Sequence, residues 1–524
     1  MRKECSRRSF ILGSLAAGAL ASTSAVLGGC SKEQGETKSS DATQEKATYT
    51  PSETKDVDVV ICGGGISGLA AAVQAGEFGL STLVVEKMPE VGGNGVGVEG
   101  IFAVGSSAQK SQNIEINPGE LIRHEIEFSQ YRPDGALWSN LVAASAENYD
   151  WLVSKGVRFS GLINSYGGLF ETMHWFEGGN AGTGYVPYMS QEAESTGVEI
   201  MSSASVVDLI SENNAICGVY VQADDKSIVQ VNAKAVVIAT GGFGGNLELV
   251  AKAGWRTDHL KYIGTPGHDG DGVIMAAAVG AKSMVADSCS LTGAGIDGLS
   301  AQDSVNMAIC FGGPFLWINE EAKRCVNEDL AGANMMNVAL PLQENKEVWC
   351  IANDAIITAA ISGFSNDAAK ASEKTPEETI ASVIEMCPSQ NIFKTDSLDD
   401  LARSMNMDAA DLKAAVDSYN ECCKAGTDTQ FGKNAEFMIA IENGPYYGYR
   451  LDPNFQVAIG GICTNRNMQV VDDKREPIEG LYAVGVDGCM LYRNVYPINV
   501  AGSCCANNVN SGRTAIQHIK AHLQ

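Results

Sequence analysis

The 524-residue chain contains no Cys-x-x-Cys and no Cys-x-x-Cys-His. That excludes, as local motifs, a zinc ribbon, a ferredoxin-type cluster and a covalently attached haem. Basic residues are scarce: 37 Lys and Arg stand against 63 Asp and Glu, a formal net charge of −26. So acidic a surface is repelled by nucleic acid and by anionic lipid, and neither is expected as a partner. Long apolar runs are missing too. The one extended run, from Phe10 to about Leu27, is diluted by Gly, Ser and Thr and is barely long enough to span a bilayer.

The N-terminus carries an address instead. Ser6-Arg7-Arg8-Ser9-Phe10-Ile11-Leu12 sets two arginines directly ahead of that mild apolar run, the pattern of a twin-arginine export signal over residues 1–29. Export by this route handles folded proteins, which implies a cofactor inserted before crossing. Leu27-Gly28-Gly29-Cys30 has the form of a lipoprotein cleavage box with Cys30 lipidated, so the expected membrane attachment is a lipid anchor at the extracytoplasmic face. Residues 30–55 hold almost no apolar side chains and read as a flexible linker. Loss of the leader removes a net +3 (Arg2, Lys3, Arg7 and Arg8 against Glu4) and leaves the mature chain at about −29.

Fourteen cysteines remain from Cys30 onward, and the only adjacent pairs are Cys422-Cys423 and Cys504-Cys505. Most read as buried small hydrophobes, and their survival as free thiols suits an anaerobic setting. A cluster assembled from distant positions, an iron–sulfur centre included, would start from Cys289, Cys310 and Cys325.

The strongest local signal is "DVDVVICGGGISGLAAAVQAGEFGLSTLVVEK". A short apolar strand runs into Gly63-x-Gly65-x-x-Gly68, then an Ala-rich helix, then a second apolar strand ending on Glu86. Gly63 permits the tight turn, Gly65 lets backbone approach a pyrophosphate, and Gly68 allows close helix-to-strand packing. The helix N-terminus faces the phosphates with its partial positive charge. Glu86, eighteen residues after Gly68, can accept hydrogen bonds from ribose hydroxyls. Together these elements specify an adenine dinucleotide site.

Four further elements follow in order: Gly92-Gly93-Asn94, "AVVIATGGFGGN" at 235–246, "GHDGDGVIMAAAVGA" at 267–281 and "IEGLYAVGVDG" at 478–488. In this order they resemble the flavoprotein family of soluble fumarate reductases, urocanate reductases, aspartate oxidases and 3-ketosteroid Δ1-dehydrogenases, from residue 56 to the C-terminus. The resemblance implies FAD, with Ser67, Glu86, Lys87, Asn94, Val206 and Asp271 at flavin-binding positions. Asn94 is not a histidine, so the FAD is expected to be non-covalent. The family's acid in the strand at 481–485 is replaced by Val486, with Asp487 beside it. The implied architecture is α/β: a doubly wound FAD-binding domain from 56–287 and 449–524, with an α+β capping domain, 288–448, inserted between its parts.

The family's dicarboxylate grip is missing. "INEEAKRCVNEDLAGA" matches the conserved run around Arg324, Asn327 and Glu328, and Arg324 is carried over as a catalytic candidate, although its pairing with Glu328 gives it a role in tying the cap together. The family's arginines and histidine, however, correspond to Gly332, Val457, Asn499 and Phe311. Two carboxylates in a low-dielectric pocket need cationic partners. This pocket should therefore reject fumarate and accept a large, neutral, mostly apolar molecule.

The stretch "RNVYPINVAGSCCANNVNSGRTA" supplies donors for such a molecule. Gly502 and Ser503 open a helix whose N-terminus faces the flavin's pyrimidine end, with Cys504 and Cys505 against the ring. Tyr496-Pro497 resembles the tyrosine-proline of ketosteroid dehydrogenases, which makes Tyr496 a candidate to polarise a carbonyl and Asn499 one to orient it. His268 reads as structural, and Tyr446 and Tyr447 as possible lining of a pocket mouth.

These features together imply an exported FAD reductase of an activated C=C bond, in an enone or an unsaturated lactone. Electrons would come from a membrane-anchored multihaem cytochrome. Within the family the chain most resembles the gut-bacterial cardiac glycoside reductases. Three alternatives stand beside this: the reverse chemistry of a Δ1-steroid dehydrogenase, a reductase of another small unsaturated acid, and a non-catalytic lipoprotein that keeps FAD as a structural element.

Overall fold

Residues Val59–Cys62 form the buried half of a strand, Glu53–Cys62, that lies parallel to Thr82–Val85 on one side and to Ile228–Ile238 on the other. A continuous apolar run, rather than an alternating one, suits a parallel strand covered on both faces. The computed structural model describes residues 48–523 apart from 167, 297–312, 314, 364–390, 494 and 497–499. Residues 1–29, read as an export signal, Cys30 and residues 31–47 lie outside that range. The first strand begins at Glu53, inside the stretch read as linker, because Glu53 to Val57 continue the pairing with Val229 to Ala233.

Around this strand an eight-stranded sheet is built in the order 469–471, 477–483, 228–238, 53–62, 82–85, 199–201, with Ser205–Glu212 and Ala215–Gln222 attached antiparallel beside Ile228–Ile238. It draws strands from both ends of the chain. The helix Ile66–Glu77 buries every residue from Ile66 to Ala75, and its small side chains let the C-terminal helix Ser503–His522 approach closely. A Cβ on Gly512 would stand 2.5 Å from the Ser67 carbonyl oxygen.

The cap has its own six-stranded sheet and its own core, which includes Trp317, Ile351, Leu412, Tyr419 and Tyr449. Its spine is the 14-residue strand Tyr446–Ile459, which pairs with Val348–Asn353, Ile392–Thr395, Cys289–Ile296 and Lys261–Tyr262. That strand enters the cap and leaves it beside the nucleotide sheet, so one element positions both. The fold is the α/β flavoprotein architecture the motifs imply. A third sheet was not anticipated: Phe159–Asn164, Met173–Phe176 and Gly100–Phe102, all antiparallel. Among the described residues no helix is long and apolar enough to cross a membrane.

One buried group has no partner to hold its charge. Glu125, on the helix Pro118–Phe128, is fully buried, and both its carboxyl oxygens lack a hydrogen-bond partner. Desolvation pushes its pKa up to about 8. Between its unfolded value near pH 4.3 and that folded value, the folded state holds a proton the unfolded chain has released, so stability falls as pH rises. Wild-type protein is expected to lose roughly 2–3 kcal/mol more than Glu125→Gln between about pH 5 and about pH 8, read from urea midpoints. Equal pH dependence in the two proteins would show that Glu125 ionises freely.

Candidate active site

The ends of the parallel strands, the loop 265–271, the small third sheet and the start of the C-terminal helix line a common cavity. Its glycine-turn wall is steric in origin. Gly63 sits at φ +114°, where a Cβ would lie 2.2 Å from the Ala239 carbonyl oxygen, and a Cβ on Gly68 would lie 1.9 Å from the Gly63 oxygen. Only glycine fits either position. Gly65 is the N-cap of the helix Ile66–Glu77 and has no side-chain cap; the nearest atom to a Cβ there is 3.8 Å away. Gly63, Gly65 and Ser67 line the cavity, and Gly68 lies behind them.

Glu86 is 8 % exposed. Its Oε2 accepts from Gly64 N (2.7 Å) and its Oε1 from Met88 N (2.8 Å). The carboxylate thus shapes both turns, and each oxygen keeps lone-pair capacity for a ribose hydroxyl. Lys87 reaches across to Asp269 (2.6 Å) and Asp271 (2.9 Å), so its charge joins the loop 265–271 to the first turn. Asp271 opens the helix Asp271–Ala278 after Gly270 at φ +81°. Val206 lines the cavity from the strand Ser205–Glu212.

Asn94 faces the cavity, but its side chain serves the protein. Nδ2 donates to the Gln456 carbonyl (3.1 Å), Oδ1 accepts from Thr265 N (2.6 Å), and its backbone N–H donates to His268 Nε2 (3.2 Å). Burial holds the His268 pKa down, which keeps the ring neutral as an acceptor. Asp487 is fully buried and turned away from the cavity, while Val486 lines it. The Asp487 carboxylate accepts from Thr240 Oγ1 (3.0 Å), Gly241 N (2.9 Å) and Gly242 N (3.0 Å).

At the C-terminal helix, Gly502 is an N-cap at φ +79° with no side-chain cap, and Gly502, Cys504, Cys505 and Asn508 line the cavity. Burial pushes both thiols well up, so they pack as small apolar groups rather than as thiolates. Ser503 turns away and accepts from the Tyr492 hydroxyl (2.9 Å). Tyr492 stands edge-on to Tyr496 at 5.0 Å, and Asn334 Nδ2 donates to the Tyr496 carbonyl (3.4 Å). Tyr496 lines the cavity, and burial raises its phenol pKa well above the usual value. Asn499 lies outside the described residues.

Several expectations are corrected. Arg324 is not brought to the cavity. It is sealed in the cap core, bonded to Glu328 (2.7 and 3.1 Å) and Asp428 (3.0 Å) under Tyr419 and Phe431. A guanidinium whose donors already meet two buried carboxylates has a structural role, not a catalytic one. Cys289 and Cys325 belong to different hydrophobic cores, and Cys310 lies outside the described residues. Among the described residues no group of three or more His, Cys, Asp or Glu could hold a metal ion. Tyr447 is buried with its hydroxyl on Asp354 (2.7 Å), and neither it nor Tyr446 reaches the cavity. Val457 does line it, Gly332 does not, and Phe311 lies outside the described residues.

Three residues were missed. Glu99 and Tyr166 line the cavity and are joined by a hydrogen bond of 3.1 Å from the Tyr166 hydroxyl to Glu99 Oε1. The available signal for Glu99 was an acid placed between apolar and glycine residues in "GVGVEGIF". Asn508 lines the cavity with its Oδ1 buried and unpartnered.

These observations test the fit of a flavin dinucleotide. Two helices begin on uncapped glycines at the same cavity, each presenting free first-turn N–H groups to an anion. Asn508 Oδ1 awaits a donor such as a ribityl hydroxyl, and Glu86 stands ready for a ribose. The residues present fit FAD. The comparisons agree: residues 58–502 match the family described as "FAD binding domain". The chain belongs to that family and is an FAD-dependent oxidoreductase acting on CH–CH groups. It is 29 % identical over 474 residues to the vinyl phenol reductase of Lactiplantibacillus plantarum, covering 88 % of this chain and 96 % of that protein. Two solved structures share its fold. The open conformation of a flavocytochrome c3 fumarate reductase gives a TM-score of 0.69 at 24 % identity, over 90 % of this chain and 79 % of that one. The 3-ketosteroid-Δ4-(5α)-dehydrogenase of Rhodococcus jostii RHA1 gives 0.66 at 21 %, over 90 % and 97 %.

Glu86→Ala is expected to weaken FAD retention by roughly 1.5–3 kcal/mol, the worth of a hydrogen bond to a charged group. Fluorescence titration of refilled apoprotein measures this; unchanged affinity would remove the ribose contact from the account.

Proposed function

We propose that this protein reduces an activated C=C bond in a neutral, largely apolar substrate bearing one carbonyl or hydroxyl, a class that includes enones and the unsaturated lactones of steroids such as cardiac glycosides. One observation carries the reading: no arginine lines the cavity among the described residues. Residues 297–312, 364–390 and 497–499 contain no Arg or His either. The one lysine on the wall, Lys87, is paired with Asp269 and Asp271. A dicarboxylate would enter without a counter-charge, at a cost of several kcal/mol per buried ion. Leu291, Met335, Val457, Val486 and Met173 form an apolar wall, which suits a neutral molecule. The similarity to a vinyl phenol reductase, whose named substrate is a neutral alkene, points the same way.

Bound FAD supplies the hydride-level redox chemistry that saturating a C=C bond requires. The first turns of the two uncapped helices place backbone N–H groups where negative charge is favoured. Tyr496, kept protonated by burial, donates a hydrogen bond to a substrate carbonyl and resists giving up its proton altogether. The apolar wall excludes water from the reacting carbons. The export motif and the absence of a haem motif in the chain support an extracytoplasmic, lipid-anchored protein with non-covalent FAD, fed by a membrane-anchored multihaem cytochrome. A second reading, 3-ketosteroid dehydrogenation, is favoured by Tyr496 itself.

The deciding experiment is anaerobic. Chemically reduced protein is mixed with enones, steroid lactones, p-vinylphenol, fumarate and urocanate, and flavin absorbance is followed. The neutral alkenes should reoxidise it and the two acids should not; rapid reoxidation by fumarate would overturn the reading. Reduction of the oxidised protein by saturated ketosteroids would favour the dehydrogenase. With an accepted carbonyl substrate, Tyr496→Phe should keep FAD and lower kcat by about 10²–10³, the range for losing one polarising donor.

A further inference from the structure

The cavity has a polarising phenol, yet the reaction also needs a proton for the carbon that does not receive hydride. Most titratable groups on its wall are committed elsewhere. Glu86 accepts two backbone N–H groups, Lys87 pairs with two aspartates, and His268 Nε2 accepts from Asn94 N and is within 3.0 Å of the Thr265 hydroxyl. Cys504, Cys505 and Tyr496 are made weaker acids by burial. Glu99 is left.

We infer that Glu99, oriented by Tyr166, is the acid that protonates the substrate carbon during C=C reduction. The inference rests on the reductase reading above and adds its proton donor. Glu99 directly precedes the strand Gly100–Phe102, and its carbonyl accepts from Phe176 N at 2.9 Å. Phe102 N in turn donates to the Gly502 carbonyl at 3.1 Å, which ties this strand to the start of the C-terminal helix. Tyr166 follows the strand Phe159–Asn164 at φ +51°, a conformation an aromatic residue rarely adopts. Asn164 Oδ1 holds it there, accepting from Tyr166 N (3.1 Å) and from Trp175 Nε1 (2.9 Å), while the Trp175 ring packs 5.6 Å from the Tyr166 ring. The hydroxyl so aimed donates to Glu99 Oε1 and leaves Oε2 for a proton.

The groups whose charge bears on Glu99 are Tyr166, Tyr496 and Cys505, none of them cationic. Among the described residues no Lys, Arg or His forms an ion pair with it. Desolvation raises its pKa above the ordinary carboxyl value, and a backbone hydrogen bond at Glu99 and then the Tyr166 hydroxyl oppose the rise. An acid so tuned is protonated nearer neutrality and still releases its proton in a transition state.

The step balances. The O–H bond of the Glu99 carboxyl breaks and a C–H bond forms at the substrate's α-carbon, while reduced FAD, held by the residues that line the cavity, would supply the hydride and its electron pair to the β-carbon. The C=C π bond is consumed. Glu99 is left as a carboxylate, and a solvent proton returns to it along the half-buried Tyr166 hydroxyl.

The test uses FAD-loaded wild type, Glu99→Gln and Tyr166→Phe. Glu99→Gln should retain FAD and its visible spectrum. Its reoxidation by a neutral alkene accepted by wild type should slow by on the order of 10²–10⁴. The wild-type rate should fall as pH rises through the Glu99 pKa, the limb should vanish in Glu99→Gln, and it should move to higher pH in Tyr166→Phe, which loses the contact that lowers that pKa. Independently of turnover, the infrared spectrum of wild type just below that limb should contain a protonated-carboxyl C=O band missing from Glu99→Gln. Full-rate reoxidation of Glu99→Gln, or no such band, overturns the assignment and leaves the reductase reading intact. Wild type that no alkene reoxidises overturns both.

Discussion

A single buried carboxylate holds the floor of the cavity. Asp487 gathers the Thr240 hydroxyl and the N–H groups of Gly241 and Gly242, drawing together segments about 245 residues apart in the chain. Burial disfavours its charge and the three donors favour it, with burial the larger influence on its pKa. Much of the cavity is registered from this contact. A Cβ on Gly241 would lie 2.4 Å from His268 Nδ1, so the clamped turn fixes the imidazole, which receives the Asn94 N–H. Asn94 then fixes Thr265 and Gln456. A carboxylate that in the related pattern stands one residue earlier here serves the protein's own backbone, and an apolar valine takes the position facing the ligand.

The shortage of cations matters more for where they are placed than for their number. Arg324 and Lys433 are consumed in the cap core with Glu328 and Asp428. Arg513 binds Gln74 and Glu147 and lies over Trp151 behind the nucleotide helices. Arg493 and Arg132 converge on Asp287, away from the cavity. Only the Arg324 and Lys433 pairs are fully buried, and breaking one of those costs about 3–5 kcal/mol, so these two cations are not free to bind substrate. Among the described residues no arginine lines the cavity, and these four stand elsewhere in the fold.

The parallel strands, the glycine turns and the acid at Glu86 were legible in the sequence because each follows from a local rule: an apolar run, a φ only glycine tolerates, a fixed spacing to a ribose. The cap was legible through resemblance alone. What could not be read was built by strands distant in sequence. Arg324 looked like a site residue because it stands in a family motif, yet Asp428, more than a hundred residues on, claims it. Ser503 looked like a flavin contact by position, until the packing of Tyr492 turned its hydroxyl the other way.

The third sheet shows the same limit in reverse. Its strands are three to six residues long and carry no repeating pattern, so periodicity has little to register. Their antiparallel pairing nonetheless brings Glu99, which follows one glycine-rich loop, to Tyr166, which precedes another glycine pair in the sequence. The neighbouring His174 is held neutral by burial between Ser106 and the Thr172 carbonyl, and makes that sheet rigid rather than reactive. Strain at Tyr166 is tolerable only because Asn164 and Trp175 over-determine its position. Glu99 has a hydroxyl donor on one carboxyl oxygen and, among the described residues, no cation paired with it. The strand that follows it is bonded to the Gly502 carbonyl at the start of the C-terminal helix, so Glu99 stands on the same cavity wall as that helix, where no arginine is found among the described residues.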